Sequence, residues 1–172
     1  MRETPEPLTY GEHLPSVYRF AFLMTGSVPT AAEVLRRSVE EAERGDLSDV
    51  RDPRRVKRWL FARARSLCSR PLALPEALRA PAGLTPEGEA PLPDFADDAS
   101  RQLAGLFAAL PEAERSALIL FYLYLFDPAQ LAETLNVSPD DLGTLLSRGR
   151  TLLQRQHDRS DSLLLARARS EA

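Results

Sequence analysis

The stretch that decides the fold is "NVSPDDLGTLLSRGR", Asn136 to Arg150. Ser138, Pro139 and Asp141 supply a cap, a proline at the first helical position and an acid at the third, which predicts a helix start. Leu142, Leu145, Leu146, Leu152 and Leu153 then fall on one stripe of the new helix. Just upstream, "DPAQLAETL" starts another helix at Asp127 with Pro128 first, and "NV" is left as the turn. A short helix, a short turn and a capped second helix make a helix-turn-helix pattern.

Working outward, no stretch alternates apolar and polar residues, while helical spacing recurs, so the fold class is all-α. Upstream of the motif lie "ASRQLAGLFAAL" and "PEAERSALILFYLYLF", each expected to be one helix. Between Pro71 and Asp98 six prolines fall among acids, which predicts an acidic Pro-rich linker. The expected organisation is therefore two small helical domains, residues 1–70 and 99–172, with residues 71–98 as the linker. In the first half, helices are expected over about Leu14–Met24, over Ala31–Glu43 with Thr30 as cap, and from Asp52–Pro53 to about Arg70. The tail "HDRSDSLLLARARSEA" is expected either to add a short helix or to stay mobile.

Apolar residues make up 44% of the 172, enough for a core. The longest apolar run, Ala117–Phe126, is too short for a bilayer, and "MRETPEPLTYGEH" has no signal core. A lone Cys68 forms no internal disulfide, and with His13 and His157 it makes no metal-ligand spacing. These features point to a cytoplasmic protein without membrane insertion. No nucleophile stands with a base, so neither an enzyme nor a cofactor is expected.

The net charge of -3 hides a segregation: residues 51–70 carry eight Lys or Arg against Asp52, while the rest of the chain is acidic on balance. On that basic helix Val56, Trp59, Leu60, Ala64 and Leu67 are expected to face the core. Arg54, Arg55, Lys57, Arg58, Arg65 and Arg70 lie on the other side, with Phe61 off the stripe among them. Cations neutralise phosphates, and an exposed ring can stack on an unpaired base. Arg54, Arg55, Lys57, Arg58, Phe61 and Arg65 are thus candidate nucleic-acid contacts. The alternative is a solvated face paired with the acidic helix or the linker.

The order of a tryptophan-bearing basic helix, a Pro-rich linker and a helix-turn-helix resembles an extracytoplasmic-function sigma factor of bacterial RNA polymerase, in a divergent form. "RFAFLMTG", "AAEVLRRSV" and "WLFARARSL" match the family's first domain. "LPEAERSALILFYLYLFDPAQLAETLNVSPDDLGTLLSRGRTLL" matches its promoter-binding domain. The resemblance implies transcription initiation without catalysis. The first domain would grip core RNA polymerase and open the minus-ten element, and the second would read the minus-thirty-five element of promoter DNA. It also implies an anti-sigma partner.

The polymerase-facing segment holds Glu33, but Arg36 and Arg37 stand where the family has a glutamine and an acid. Pairs Glu33–Arg37 and Arg36–Glu40 on one helix surface are the alternative use of these residues. In the last helix Thr144, Ser147, Arg148 and Arg150 are the candidate DNA contacts. Gly143 and Leu145 occupy positions where the family has cations, and Asp140 and Asp141 would repel a phosphate. The family usually also has charged residues at the Phe121, Tyr122 and Tyr124 positions, so a helix apolar all round is expected there, covered by the Leu163–Leu165 tail or by a partner. Beside the sigma-factor expectation stands a second one: a degenerate sigma-like protein that has lost DNA reading and acts as an adaptor or anti-sigma-binding mimic.

Overall fold

The computed structural model describes residues 10–46, 52–70 and 98–170, with side chains of the last helix described to Arg159. The linker expected over residues 71–98 lies, but for Asp98, outside the described residues. All regular elements among the described residues are helical: α1 Leu14–Thr25, α2 Val28–Glu41, α3 Pro53–Cys68, α4 Asp98–Ala108, α5 Glu112–Tyr122, α6 Pro128–Leu135 and α7 Pro139–Ser170. A 3₁₀ turn, Gly11–His13, precedes α1, and a π-helical turn, Ala42–Asp46, follows α2. Contacts divide the chain into two compact units, Met1–Phe22 with Ser27–Ala96, and Leu23–Gly26 with Asp97–Ala172.

Just ahead of α2, the second helix of the first unit, Gly26 takes φ +67, a left-handed conformation that stops α1 and that glycine adopts without a Cβ penalty. The next helix starts three residues earlier than expected. Ser27, not Thr30, is its cap: the Ser27 hydroxyl oxygen accepts from the Thr30 N–H at 3.3 Å and from the Thr30 hydroxyl at 2.9 Å. Pro29 fits inside the first turn, where no N–H is needed. In α3, the Asp52 carboxylate accepts from the Arg54 N–H at 2.9 Å, with Pro53 opening the helix. Val17, Phe20, Ala21, Ala31, Val34, Val56, Leu60, Phe61 and Ala64 are buried in this unit, and Phe20 meets Phe61 edge-on at 5.4 Å between centroids.

In the second unit, α5 ends at Tyr122, four residues short of the expected Phe126. Leu125 takes φ +51, a conformation that costs a non-glycine residue roughly 1–2 kcal/mol. The Phe126 N–H donates to the Leu120 carbonyl at 3.3 Å, and Phe126 is buried while Leu125 is 81% exposed. Burial of Phe126 thus turns the chain and thrusts Leu125 into water. Asp127 then caps α6, its carboxylate accepting from the Gln130 N–H at 2.8 Å. Asn136, at φ +54, closes α6 in the left-handed region that Asn tolerates. Ser138 caps α7: its hydroxyl oxygen accepts from the Asp141 N–H at 3.1 Å and donates to the Asp141 carboxylate at 2.7 Å. The last helix runs 32 residues without a break, about 48 Å at 1.5 Å per residue, so the tail continues the rod instead of doubling back over α5.

Candidate nucleic-acid interface

Each unit carries one surface of interest, and each is built from its own helices. In the first unit, Arg54 and Arg55 are exposed on the opening turn of α3, while Lys57, Arg58 and Arg65 are half-buried. Burial pushes the Lys57 ammonium below its ordinary pKa. Four cations within the first two turns oppose the positive end of the helix dipole.

Phe61 is a correction. Its ring is 0% exposed and packed on Phe20, so it is a core residue and has no free face for a base. Trp59, expected in the core, is only half-buried. Of the two aromatic rings of α3, the indole is therefore the one that keeps some exposed surface.

Glu33 is a second correction. It is 0% exposed and cannot itself meet another protein. Its carboxylate accepts two hydrogen bonds from Arg36, both at 2.8 Å, and one from Arg37 at 2.5 Å. Arg36 also pairs with Glu40, and Glu40 reaches Arg44 at 3.8 Å. Hydrogen bonds from Arg36, more than those from Arg37, hold the Glu33 carboxyl below its ordinary pKa against the opposing effect of burial. Arg36 is raised in turn, chiefly by Glu33. The intrahelical pairing of these charges is what forms, and only the outer edges of Arg36 and Arg37 remain accessible. Across to α3, Arg63 pairs with Glu41.

In the second unit, the exposed side of α7 carries Asp140, Thr144, Ser147 and Thr151 in a row, with Leu142, Leu146 and Gly149 on the buried side. Leu145, Leu152 and Leu153 are half-buried at its border. Thr144 and Thr151 return their hydroxyl protons to carbonyls one turn back, at 3.2 and 3.1 Å. Asp141 is committed to its cap; Asp140 is the acid in line with the exposed row. Gly143 is exposed, and a Cβ there would meet nothing within 4 Å.

Arg148 and Arg150 flank this row. An Arg148 amino group lies 3.4 Å from the carboxylate of Glu114, a residue 3% exposed on α5. Arg150 Nε donates to the Tyr122 hydroxyl at 2.7 Å, and its guanidinium lies 5.7 Å from the Tyr122 ring centroid. Between them, Gly149 lets α5 and α7 touch: a Cβ would stand 2.8 Å from Leu118 Cδ1 and 3.4 Å from Glu114 Cβ. The sequence offered the two arginines only as candidate contacts. It did not reveal Glu114, Tyr122 or the need for glycine at 149, because each depends on how α5 crosses α7.

Among the described residues, no group of three or more His, Cys, Asp or Glu could hold a metal ion, and no helix is long and apolar enough to cross a membrane. Residues 100–153 match the family described as sigma-70, region 4. Over 84% of this chain and 91% of the other, the fold is similar to the sigma factor RpoE from Bartonella quintana, solved in complex with the anti-sigma factor NepR, with a TM-score of 0.58 and 18% identity. No curated protein matches the sequence.

Proposed function

We propose that this chain, which has the all-α fold of an extracytoplasmic-function sigma factor and carries a sigma-70 region 4, directs RNA polymerase to promoters. The observation that carries this reading is the exposed face of α7, a row of small polar side chains bordered by Arg148 and Arg150. A helix entering a major groove turns such a row to the base edges and its flanks to the phosphates. Thr144, Ser147, Arg148 and Arg150 are the contacts assigned to the minus-thirty-five element. Arg54, Arg55, Lys57, Arg58 and Arg65, with the half-buried Trp59 taking the stacking role expected of Phe61, are assigned to the opened minus-ten strand. Core polymerase would meet the outer edges of Arg36 and Arg37. The role is one of binding and strand opening, without catalysis.

The test is reconstitution. The purified chain, added to core RNA polymerase, is expected to co-elute with it and to give promoter-dependent transcripts from genomic fragments. Absence of a complex at low salt would overturn the proposal.

A second reading is favoured by Asp140 and Gly143, which place an acid and a bare backbone on the face meant for DNA. In it the chain is a sigma-like adaptor that occupies an anti-sigma factor and leaves promoters alone. The RpoE complex supports an anti-sigma partner under either reading. A specific footprint of the full chain on promoter DNA separates them in favour of the first.

A further inference from the structure

Tyr122 stands at the edge of the α7 face, half exposed, at the last position of α5. Counted around α7 at 100° per residue, Arg148 and Arg150 lie about 160° apart across the exposed side, with Thr144, Ser147 and Thr151 between them. Each flank is fixed by the same helix. Leu118 meets Gly149 where α5 crosses α7. One turn before Leu118, Glu114 takes Arg148; one turn after it, Tyr122 takes Arg150. Glu114 is a carboxylate and can only accept. Tyr122 differs: a phenol accepts through its lone pairs and still has one proton to donate. Arg150 Nε occupies an acceptor position on that oxygen, and Tyr122 is 51% exposed. The O–H and the outer guanidinium N–H groups therefore stand together at the rim of the face.

We propose that Tyr122 is itself a backbone contact: its hydroxyl, oriented by Arg150, donates to a non-bridging oxygen of a duplex DNA phosphate, and Arg150 supplies the charge. This rests on the reading that α7 meets duplex DNA. The phenol adds a neutral, directional donor to a flank that a lone arginine would only attract.

Because phosphate contacts carry no sequence information, the probe is a random-sequence duplex of about 30 base pairs. Binding of the full chain is measured over a salt series for wild type, Tyr122→Phe and Arg150→Gln, with thermal melts to check folding. Releasing counterions is the work of cations, so Arg150→Gln is expected to lower the log–log salt slope by about 0.9. Tyr122→Phe is expected to weaken binding about tenfold, as for a lost hydrogen bond to a charged group, along a line parallel to wild type. An unchanged affinity overturns the proposal. So does a shallower slope coincident with Arg150→Gln, which would make Tyr122 only a support for the arginine. If wild type itself fails to bind the duplex at low salt, the DNA reading of α7 falls, and the Tyr122 contact falls with it.

Discussion

Phe61→Ala removes a ring with 0% exposure, and is expected to destabilise the first unit by about 4 kcal/mol, read from the denaturant midpoint. Trp59→Ala is expected to cost less stability and more single-strand binding. The sequence reading put Trp59 on the core stripe and Phe61 off it, the reverse of their burial. They sit about 100° to either side of the line through Val56, Leu60, Ala64 and Leu67, so periodicity ranks them equally and only the neighbour Phe20 decides. The two aspartates of α7 separate in the same way. Asp141 is spent on its cap, so Asp141→Asn is expected to lower stability by about 1 kcal/mol. Asp140 lies in the exposed row, so Asp140→Asn is expected to strengthen duplex binding several-fold with stability nearly unchanged. A gel-shift series beside thermal melts distinguishes the two, and equal effects from both would refute the division of roles.

At the scale of elements, local chemistry was legible. Asp52–Pro53, Asp127–Pro128 and Ser138–Pro139–Asp141 all cap where their side chains suggest, because a cap is decided within four residues. The end of α5 was not legible. It is set by burial of Phe126, which forces a left-handed Leu125 with no glycine to announce it. Leu125→Gly is expected to stabilise the second unit by about 1 kcal/mol, measured by denaturation. Gly149→Ala is expected to do the reverse despite the better helix propensity of alanine. Its Cβ would press on Leu118, which is buried and has little room to move, at a cost of about 1–3 kcal/mol. In α2, the Glu33 carboxyl is held below its ordinary pKa of 4.5. A group depressed in the folded state contributes stability that is present above the unfolded pKa and lost as pH falls through the folded one. Acidification from pH 4.5 downward should therefore weaken wild type more steeply than Glu33→Gln, which has already lost that ion cluster. Parallel pH–stability curves would refute this.

Across the whole molecule, the all-α class and the helix-turn-helix followed from periodicity and caps, and the segregated charge was visible in the sequence as the excess over residues 51–70. What stayed hidden was how much of that charge is internally engaged, since Arg63 is paired to Glu41 while Arg54 and Arg55 are exposed. The two surfaces are expected to differ in the nucleic acid they take. Neutralising Arg54 and Arg55 together should lower the salt slope on single strands by about 1.4 and leave duplex binding nearly intact, measured by fluorescence anisotropy. Equal losses on both ligands would contradict separate surfaces. The bare backbone at Gly149 has a consequence for evolution as well as for binding. A joint with no side chain lets the two helices close up, and both flanking arginines are held by the helix seated there. Drift at that one residue would misdirect the two grips together, so the spacing between them behaves as one inherited dimension and is not tuned one arm at a time.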